Sequence, residues 1–172
     1  MKINVVGTSG SGKSTFSKLL AEKMNAPYIE MDALHWKANW KTSSDEELFN
    51  KLKNALSSEK WILDGNYSKT EHIKWNKIQM VIFLDLPFYQ VLYRVIKRSL
   101  VRGFTKHELW AGNKESLSQV LFSKNSMILF TIKSFYKNRK KHYKLLCKCE
   151  KSQIKFIRLK SKKEINTFLL GF

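Results

Sequence analysis

The sequence contains Gly7-Thr8-Ser9-Gly10-Ser11-Gly12-Lys13-Ser14, and this stretch decides the fold. It fills every fixed position of the phosphate-binding pattern G-x-x-x-x-G-K-[ST]. Residues 1–6 predict a buried strand and residues 15–24 predict a helix, which is the context that the pattern requires. Its glycines let backbone N–H groups point at phosphate oxygens, Lys13 would reach the β- and γ-phosphates, and the Ser14 hydroxyl would bind Mg²⁺. A glycine- and serine-rich turn that matches by accident is the alternative.

Length and composition favour a single domain. The chain has 172 residues, of which 43% are hydrophobic and 13% aromatic, enough for one substantial core. No glycine-, serine- or proline-rich linker divides it, so we expect one domain over 1–172. The first residues lack the regions of a signal peptide, which predicts a cytoplasmic location. Charged residues and a proline interrupt the apolar run 81–100, which is therefore not expected to span a membrane. Cys147 and Cys149, without a second ligand pair, predict reduced thiols and no zinc site.

The basic residues are unevenly divided between lysine and arginine. The formal net charge of +18 is compatible with a nucleic-acid surface, an anionic substrate or a simple bias towards lysine. Because the chain has 27 lysines and only 5 arginines, the positions of arginine are informative. Arg94, Arg98 and Arg102 follow one another at i, i+4 and i+8 and would share one helix face. A guanidinium grips phosphate at two points, so this face predicts a phosphate contact, with three solvated arginines as the alternative.

Apolar runs alternate with helical patterns along the chain. Predicted strands cover 1–6, 26–31, 60–64, 79–84 and 153–159, and predicted helices cover 15–24, 44–57, 88–102, 116–148 and 162–170, with a loop at 32–36. Apolar strands separated by helices predict a parallel sheet covered on both faces. Ligands in such folds bind at the carboxyl ends of the strands.

Three of the four aspartates follow predicted strands. They are Asp32, Asp64 and Asp85. Each of them alone is compatible with a helix cap or a turn residue. Together, on one rim that faces the phosphate loop, they predict a site for Mg²⁺ and a phosphoryl acceptor. Which of them serves the metal and which serves the acceptor stays open.

Several motifs point to a known family. The phosphate loop, Asp64-Gly65, and Val81-Ile82-Phe83-Leu84-Asp85-Leu86-Pro87 followed by Arg94 and Arg98 resemble the adenylate kinase group of small P-loop kinases. Residues 31–36, 61–67 and 108–116 more narrowly resemble the adenylate-kinase-like family labelled DNA topology modulation protein (FlaR-like). The resemblance implies a three-layer α/β P-loop NTPase fold. Its sheet would be five-stranded and parallel, in the order 2-3-1-4-5, with a helical lid.

The resemblance also implies roles for individual residues. The residues from Gly7 to Thr15 would hold the triphosphate of ATP. Asp64 and Asp85 would hold Mg²⁺ through its water shell. Arg94 would lie over the adenine, and Arg98 would contact the transferring phosphate.

A mobile lid is the next implication. Arg102, also assigned to the ATP site, would begin a lid over residues 102–118, and returning contacts would come from Lys137, Arg139 and Lys140. The chain departs from adenylate kinase after Asp64-Gly65. Asn66-Tyr67 stands where that enzyme has Phe-Pro-Arg, so the acceptor-binding arginine is missing and AMP is not the expected acceptor.

Phosphoryl transfer depends mainly on positioning and on positive charge. We expect Lys13 and Arg98 to supply that charge together with Mg²⁺, and Asp32 to orient or deprotonate an acceptor hydroxyl. His35 would either bind the acceptor or serve the structure. Candidate walls of the acceptor pocket are Trp36, Trp40 and Trp110.

The sequence therefore predicts an ATP-dependent phosphotransferase, similar to nucleoside and nucleotide kinases, that moves the γ-phosphate to a small acceptor. The alternative is a nucleotide-gated nucleic-acid-binding ATPase that affects DNA topology. Lysines scattered over the predicted helices, without a recognised reading motif, favour the first function. Any nucleic-acid binding is expected to be non-specific. The acceptor and the oligomeric state stay open.

Overall fold

The computed structural model describes residues 1–65, 67–105, 108–114 and 126–172. Its strands form one parallel sheet in the order β2-β3-β1-β4-β5. They are β1 (Lys2–Gly7), β2 (Tyr28–Glu30), β3 (Trp61–Asp64), β4 (Met80–Leu84) and β5 (Lys155–Leu159). The predicted fold class and strand order are confirmed.

Helices lie between the strands. They are α1 (Lys13–Lys23), α2 (Met31–His35), α3 (Asp45–Ala55), α4 (Glu71–Lys74), α5 (Phe88–Thr105), α6 (Met127–Lys151) and α7 (Lys162–Leu170). Short 3-10 turns occur at Ala38–Trp40, Ser68–Thr70 and Trp110–Gly112. Within the described ranges, no helix combines the length and apolar character needed to cross a membrane.

Each face of the sheet has its own core. On one face, Ile3 and Val5 of β1 pack with Phe16 of α1, and side chains of α7 join the same cluster. On the other face, Val6 packs in a cluster with Leu145 of α6 and apolar residues of α3. Because successive side chains of a strand point to opposite faces, β1 contributes to both cores. The helices therefore form two outer layers around the central sheet.

The strand register brings the functional residues to one edge. Val5 of β1 and Glu30 of β2 both pair with Asp64 of β3. On the other side of β1, Gly7 pairs with Leu84 of β4. Since all these strands are parallel, the phosphate loop and the residues after β2, β3 and β4 share the carboxyl edge of the sheet.

A serine caps the start of α3. The Ser44 hydroxyl accepts a hydrogen bond from the Glu47 N–H at 3.2 Å, and the Glu47 carboxylate accepts one from the Ser44 N–H at 3.0 Å. This reciprocal capping box satisfies two backbone donors and stabilises the helix start by about 1 kcal/mol.

Some boundaries differ from the sequence-based prediction. Residues 32–35, predicted as loop, lie in α2, which follows β2 directly. Helix α4, between β3 and β4, has no counterpart in the prediction. Both helices are too short to produce a hydrophobic period. Helix α5 continues to Thr105, so the expected lid start at Arg102 is still helical. Of the helix predicted over 116–148, residues 116–125 lie outside the described residues, and α6 begins at Met127.

Candidate functional site

The phosphate loop connects β1 to α1 and packs against α5. Gly10 and Gly12 have φ angles of +83° and +92°, the left-handed region that favours glycine. A Cβ on Gly10 would lie 2.5 Å from Cγ2 of Val95 and 2.9 Å from the carbonyl oxygen of Val91. Helix α5 therefore leaves no room for a side chain there. No side chain caps α1 at Gly12, so its first N–H groups remain available to phosphate.

Lys13, the first residue of α1, reaches back over the loop. Its Nζ donates a hydrogen bond to the carbonyl oxygen of Thr8 at 3.3 Å. Burial lowers the pKa of the Lys13 ammonium, while the nearby carboxylates of Asp64 and Asp32 raise it and the charge of Arg98 lowers it. Lys13 therefore lies within electrostatic reach of both the acidic rim and the arginine face.

The arginine face of α5 meets the same loop. Arg94 Nη1 donates to the carbonyl oxygen of Ser11 at 3.3 Å, and Arg98 Nη2 donates to the hydroxyl of Ser9 at 3.1 Å. Arg102 lies one turn further along this face of α5. The structure thus brings the phosphate loop together with the arginines that the sequence assigned to it.

Ser14, Tyr28 and Asp64 form a connected group beside the loop. The Tyr28 hydroxyl donates to Oδ2 of Asp64 at 3.1 Å, and Ser14 lies close enough to the same phenol to lower its pKa. Asp64 is 4% exposed, and its Oδ1 has no hydrogen-bond partner among the described residues. A buried carboxylate oxygen without a donor is costly unless an ion or a ligand meets it. Ser14 and Asp64 therefore fit a hydrated Mg²⁺ ion.

Asp85 has different surroundings, and they count against its expected role as a metal residue. Arg139 donates to Oδ1 at 2.7 Å, and Arg158 and the Tyr143 hydroxyl donate to Oδ2 at 2.6 and 2.8 Å. Burial alone would raise the pKa of Asp85, but these hydrogen bonds hold it below its ordinary value. Two guanidinium groups already neutralise this carboxylate and would repel a divalent cation. This arrangement disfavours Asp85 as a ligand and Arg139 as a contact of the lid.

The other two expected lid contacts lie on α6. Lys137 and Lys140 are exposed there. Of the expected lid, residues 106–107 and 115–118 lie outside the described residues.

Asp32 lies in the first turn of α2, beside an aromatic group. Its Oδ1 accepts a 2.6 Å hydrogen bond from the Tyr67 hydroxyl. The ring of His35 lies 4.9 Å from the ring of Tyr67 and 5.0 Å from that of Trp36. Trp36 in turn packs edge-on against Trp40, with 5.4 Å between centroids. Nδ1 of His35 is buried and has no hydrogen-bond partner among the described residues.

Two similar turns lie next to this aromatic group, and we call them the tryptophan turns. One spans 36–42 and the other 108–114, and each is closed by an antiparallel bridge between its first and last residues. In each of them the second residue donates its N–H to the carbonyl of the sixth at 2.7 Å, from Lys37 to Lys41 and from Leu109 to Asn113. The local backbone is therefore the same in both.

Asn113 joins the tryptophan turns to each other. Its amide group donates to the carbonyl oxygen of Lys37 and accepts from the N–H of Trp40, both at 2.8 Å. Trp110, from the same turn, lies close enough to the carboxylate of Glu30 to lower its pKa. The turn 108–114 is thereby fixed above the end of β2, close to Asp32 and Asp64.

Sequence reasoning missed two residues of this region. Glu30 ends β2, and burial together with the charges of Asp64 and Asp32 raises its pKa, although the nearby Trp110 side chain lowers it. His142 on α6 is buried against Phe83, with 5.1 Å between ring centroids. Burial lowers the pKa of His142 to about 4, the charge of Lys13 adds to this, and the nearby backbone of Gly7 opposes it. A histidine in a lysine-rich segment gave no signal of this position.

Comparison with known proteins relates the chain to a family and to several kinases. A family model described as an AAA domain matches residues 3–116, more than half of the chain. Bifunctional pantoate ligase/cytidylate kinase of Prochlorococcus marinus (strain MIT 9301) is 32% identical over 94 residues, which are 46% of this chain and 18% of that protein. Probable gluconokinase of Schizosaccharomyces pombe is 54% identical over 35 residues, 20% of this chain and 18% of that protein. The alignments thus cover less than a fifth of these relatives.

A solved structure matches over nearly the whole chain. Shikimate kinase from Aquifex aeolicus vf5 superposes with a TM-score of 0.53 and 20% identity, over 99% of this chain and 95% of that one. At this identity the match shows a shared fold.

Proposed function

We propose that this chain, which belongs to the AAA-domain family matched by its residues 3–116, is an ATP-dependent phosphotransferase that phosphorylates a small molecule. The observation that carries this proposal is the phosphate loop with two arginines of α5 docked on it. Arg94 and Arg98 contact Ser11 and Ser9 of the loop directly. The kinase relatives support the same reaction class.

The loop and α5 supply the positive charge that the transition state needs. The free N–H groups at the start of α1 would hold the phosphates, and Lys13 would bridge the β- and γ-phosphates. Arg98 would exchange its single hydrogen bond to Ser9 for a two-point contact with the transferring phosphoryl oxygens. Arg94 and Arg102, on the same face, would hold the rest of the nucleotide.

Ser14 and Asp64 would hold the magnesium ion. The evidence is the Tyr28 phenol that links them and the Oδ1 atom of Asp64 without a donor. When bound, Mg²⁺ neutralises charge that develops on the phosphate oxygens. Asp85 keeps a structural role in this proposal.

Asp32 would orient the acceptor hydroxyl. It lies within electrostatic reach of Lys13, and one of its oxygens is held by Tyr67 while the carboxylate still has lone pairs for a second donor. Burial and the Asp32 charge raise the pKa of Tyr67, which keeps that phenol protonated as a donor at neutral pH. The fixed carboxylate would align the hydroxyl for attack.

Finer expectations belong to the same proposal. They are the cytoplasmic location, the single domain with a lid over 102–118, and membership of the FlaR-like family. Residues 31–36, 61–65, 67 and 108–114, which carry the narrower resemblance in the described part, all lie around Asp32, Asp64 and the tryptophan turns. We therefore propose that they form the acceptor side of the site.

Substitution of Lys13 tests the phosphate loop without an acceptor. In Lys13→Ala we expect ATP·Mg²⁺ affinity, measured by isothermal titration calorimetry, to fall by at least about tenfold because a charge–phosphate contact is lost. Lys23→Ala, on the exposed last turn of α1, is the matched control and should bind as the wild type does. Equal affinity in Lys13→Ala would show that the loop does not bind the triphosphate.

A further inference from the structure

Three carboxylates surround the position where the acceptor must lie. Glu30 ends β2, Asp32 begins α2 and Asp64 ends β3. All three act electrostatically on Lys13, so they lie around the phosphate loop. Within the described residues, no three acidic, histidine or cysteine side chains are grouped closely enough to share one metal ion. The carboxylates therefore present separate acceptor groups to the site.

Arginines that could recognise an anionic acceptor are engaged elsewhere. Arg94 and Arg98 contact the phosphate loop, and Arg102 shares their face of α5. Arg139 and Arg158 pair with Asp85 on the opposite side of β1. Recognition of a carboxylate or a second phosphate normally uses such a bidentate guanidinium.

Two of the three lysines of the tryptophan turns are paired with carboxylates, and the third, Lys41, is exposed. Lys37 binds Glu47 on α3, with 2.7 Å from Nζ to Oε1, and Lys114 binds Glu108 at 3.0 Å. Lys18, which acts on Glu30, lies over the ring of Tyr28, with Nζ 5.5 Å from the centroid. In these contacts the charges of Lys37, Lys114 and Lys18 interact with groups of the protein itself.

One buried polar atom beside the acceptor position points to a ligand with hydrogen-bonding groups. Nδ1 of His35, buried in the aromatic group, has no partner among the described residues. Oδ1 of Asp64, which also has no donor there, is assigned to the metal and its water shell. Aromatic faces next to carboxylates are typical of sites for sugars and amino compounds, because C–H groups pack on the rings while O–H or N–H groups meet the oxygens.

We infer that the acceptor is a hydroxyl compound without phosphate or carboxylate, either neutral or carrying an amino group. This inference rests on the proposed function and specifies its substrate class. Glu30 and Asp32 would accept hydrogen bonds from hydroxyl or ammonium donors, and Trp110 would form part of the wall. An anionic acceptor such as a nucleoside monophosphate would meet Glu30 and Asp32, whose charges the metal at Asp64 does not balance, and be repelled.

Matched pairs of compounds test this charge preference. Cytidine against CMP, and gluconamide against gluconate, are pairs with a shared skeleton in which only the second member is anionic. Each is titrated by calorimetry into the protein saturated with Mg²⁺ and a non-hydrolysable ATP analogue. We expect the neutral member to bind at least about tenfold more tightly than its anionic partner. Equal or tighter binding of CMP or gluconate overturns the inference.

Substitutions test whether the preference for uncharged acceptors arises from the carboxylates of the candidate site. Glu30→Gln removes one carboxylate. The ratio of the affinities for the uncharged and the anionic compound should therefore fall by roughly three- to tenfold, because one repulsive charge is lost. Glu22→Gln, on the exposed last turn of α1, is the matched control and should leave it unchanged. The same fall of the ratio in both variants would show that only net charge matters and overturns the inference.

Fluorescence quenching by ions tests the local charge around Trp110 without any acceptor. The fluorescence of Trp110 is obtained as the difference between the wild type and Trp110→Phe. Its quenching by caesium ions is compared with its quenching by iodide ions. A negative potential at Glu30 should make caesium the stronger quencher, and stronger quenching by iodide overturns the inference. Failure of the proposed function would appear separately, as an ATP analogue that does not bind or that binds without dependence on Lys13.

Discussion

Asp64 is the last residue of β3 and Asp85 directly follows β4, the two strands that flank β1. Both aspartates are 4% exposed, yet their surroundings are opposite. Asp85 is neutralised by Arg139 and Arg158 and has donors on both oxygens. Asp64 has the Tyr28 phenol on one oxygen and, among the described residues, no donor on the other. Equal burial therefore does not mean equal function. One carboxylate is satisfied within the protein, and the other has capacity for an ion or a ligand.

The largest expected effect breaks the Asp85 side of this comparison. Asp85→Asn removes the negative charge and leaves two guanidinium groups facing each other. We expect the free energy of unfolding to fall by roughly 2–4 kcal/mol, allowing for the partial exposure of both arginines. Urea denaturation at neutral pH measures it.

The control for Asp85 is another paired aspartate. Asp45 binds Lys69 at 3.0 Å, but both side chains are more than half exposed. Asp45→Asn should therefore cost at most about 0.5 kcal/mol. A loss in Asp85→Asn no larger than this would show that the arginine pair does not stabilise the fold.

Asp64→Asn breaks the other side. We expect turnover to fall by about 10- to 100-fold, and the concentration of Mg²⁺ that gives half-maximal activity to rise, because a group that orients the metal is lost. Stability should change by less than about 1 kcal/mol, since Oδ1 has no described donor to lose. Steady-state kinetics over a Mg²⁺ series, together with urea denaturation, measures both. Stability loss with normal activity would reverse the roles given to Asp64 and Asp85.

Arg98→Lys tests the contact of α5 with the phosphates beside Asp64. Lysine keeps the charge but loses the two-point grip, so we expect kcat to fall by about tenfold with a smaller rise in KM for ATP. Lys97→Arg, at the exposed neighbouring position, is the control. A rise in KM with unchanged kcat would place Arg98 in ground-state binding only.

The smallest expected effect concerns His142, packed below the phosphate loop. Its folded pKa of about 4 is lower than the ordinary value of 6.5, so the unfolded chain takes up a proton first as the pH falls. The free energy of unfolding should therefore decrease between pH 7 and pH 5, by roughly 1 kcal/mol. His142→Gln should remove much of this decrease.

Urea denaturation at the two pH values measures the His142 effect. His72→Gln, at an exposed position of α4, is the control and should keep the wild-type dependence. An unchanged dependence in His142→Gln would assign it to other groups.

The phosphate loop and the sheet could be predicted because their signals are local. Glycine spacing and apolar runs lie within short segments, and the parallel order followed from the family resemblance. The ion pairs of Asp85 could not be predicted from such local signals. Its partners Arg139 and Arg158 lie 54 and 73 residues further along the chain, and the sequence grouped Arg139 with the lid instead.

The acceptor side was predicted only in part. Asp32 and the three tryptophans were found, but the contact between the tryptophan turns depends on backbone geometry. Asn39, Trp40 and Ala111 have positive φ angles between 54° and 58°, which residues other than glycine rarely adopt. Such turns have no simple sequence signal, so the position of Trp110 against Glu30 became visible only in the structure.

The most direct test follows the γ-phosphate of ATP. The protein is incubated with Mg²⁺, γ-labelled ATP and either an amino or neutral hydroxyl compound or duplex DNA, and the labelled products are separated. We predict label in a phosphate ester of the small compound, little release as inorganic phosphate, no effect of DNA, and loss of transfer in Lys13→Ala. Label released only as inorganic phosphate, at a rate increased by DNA at physiological salt, would contradict the phosphotransferase and support a DNA-dependent ATPase.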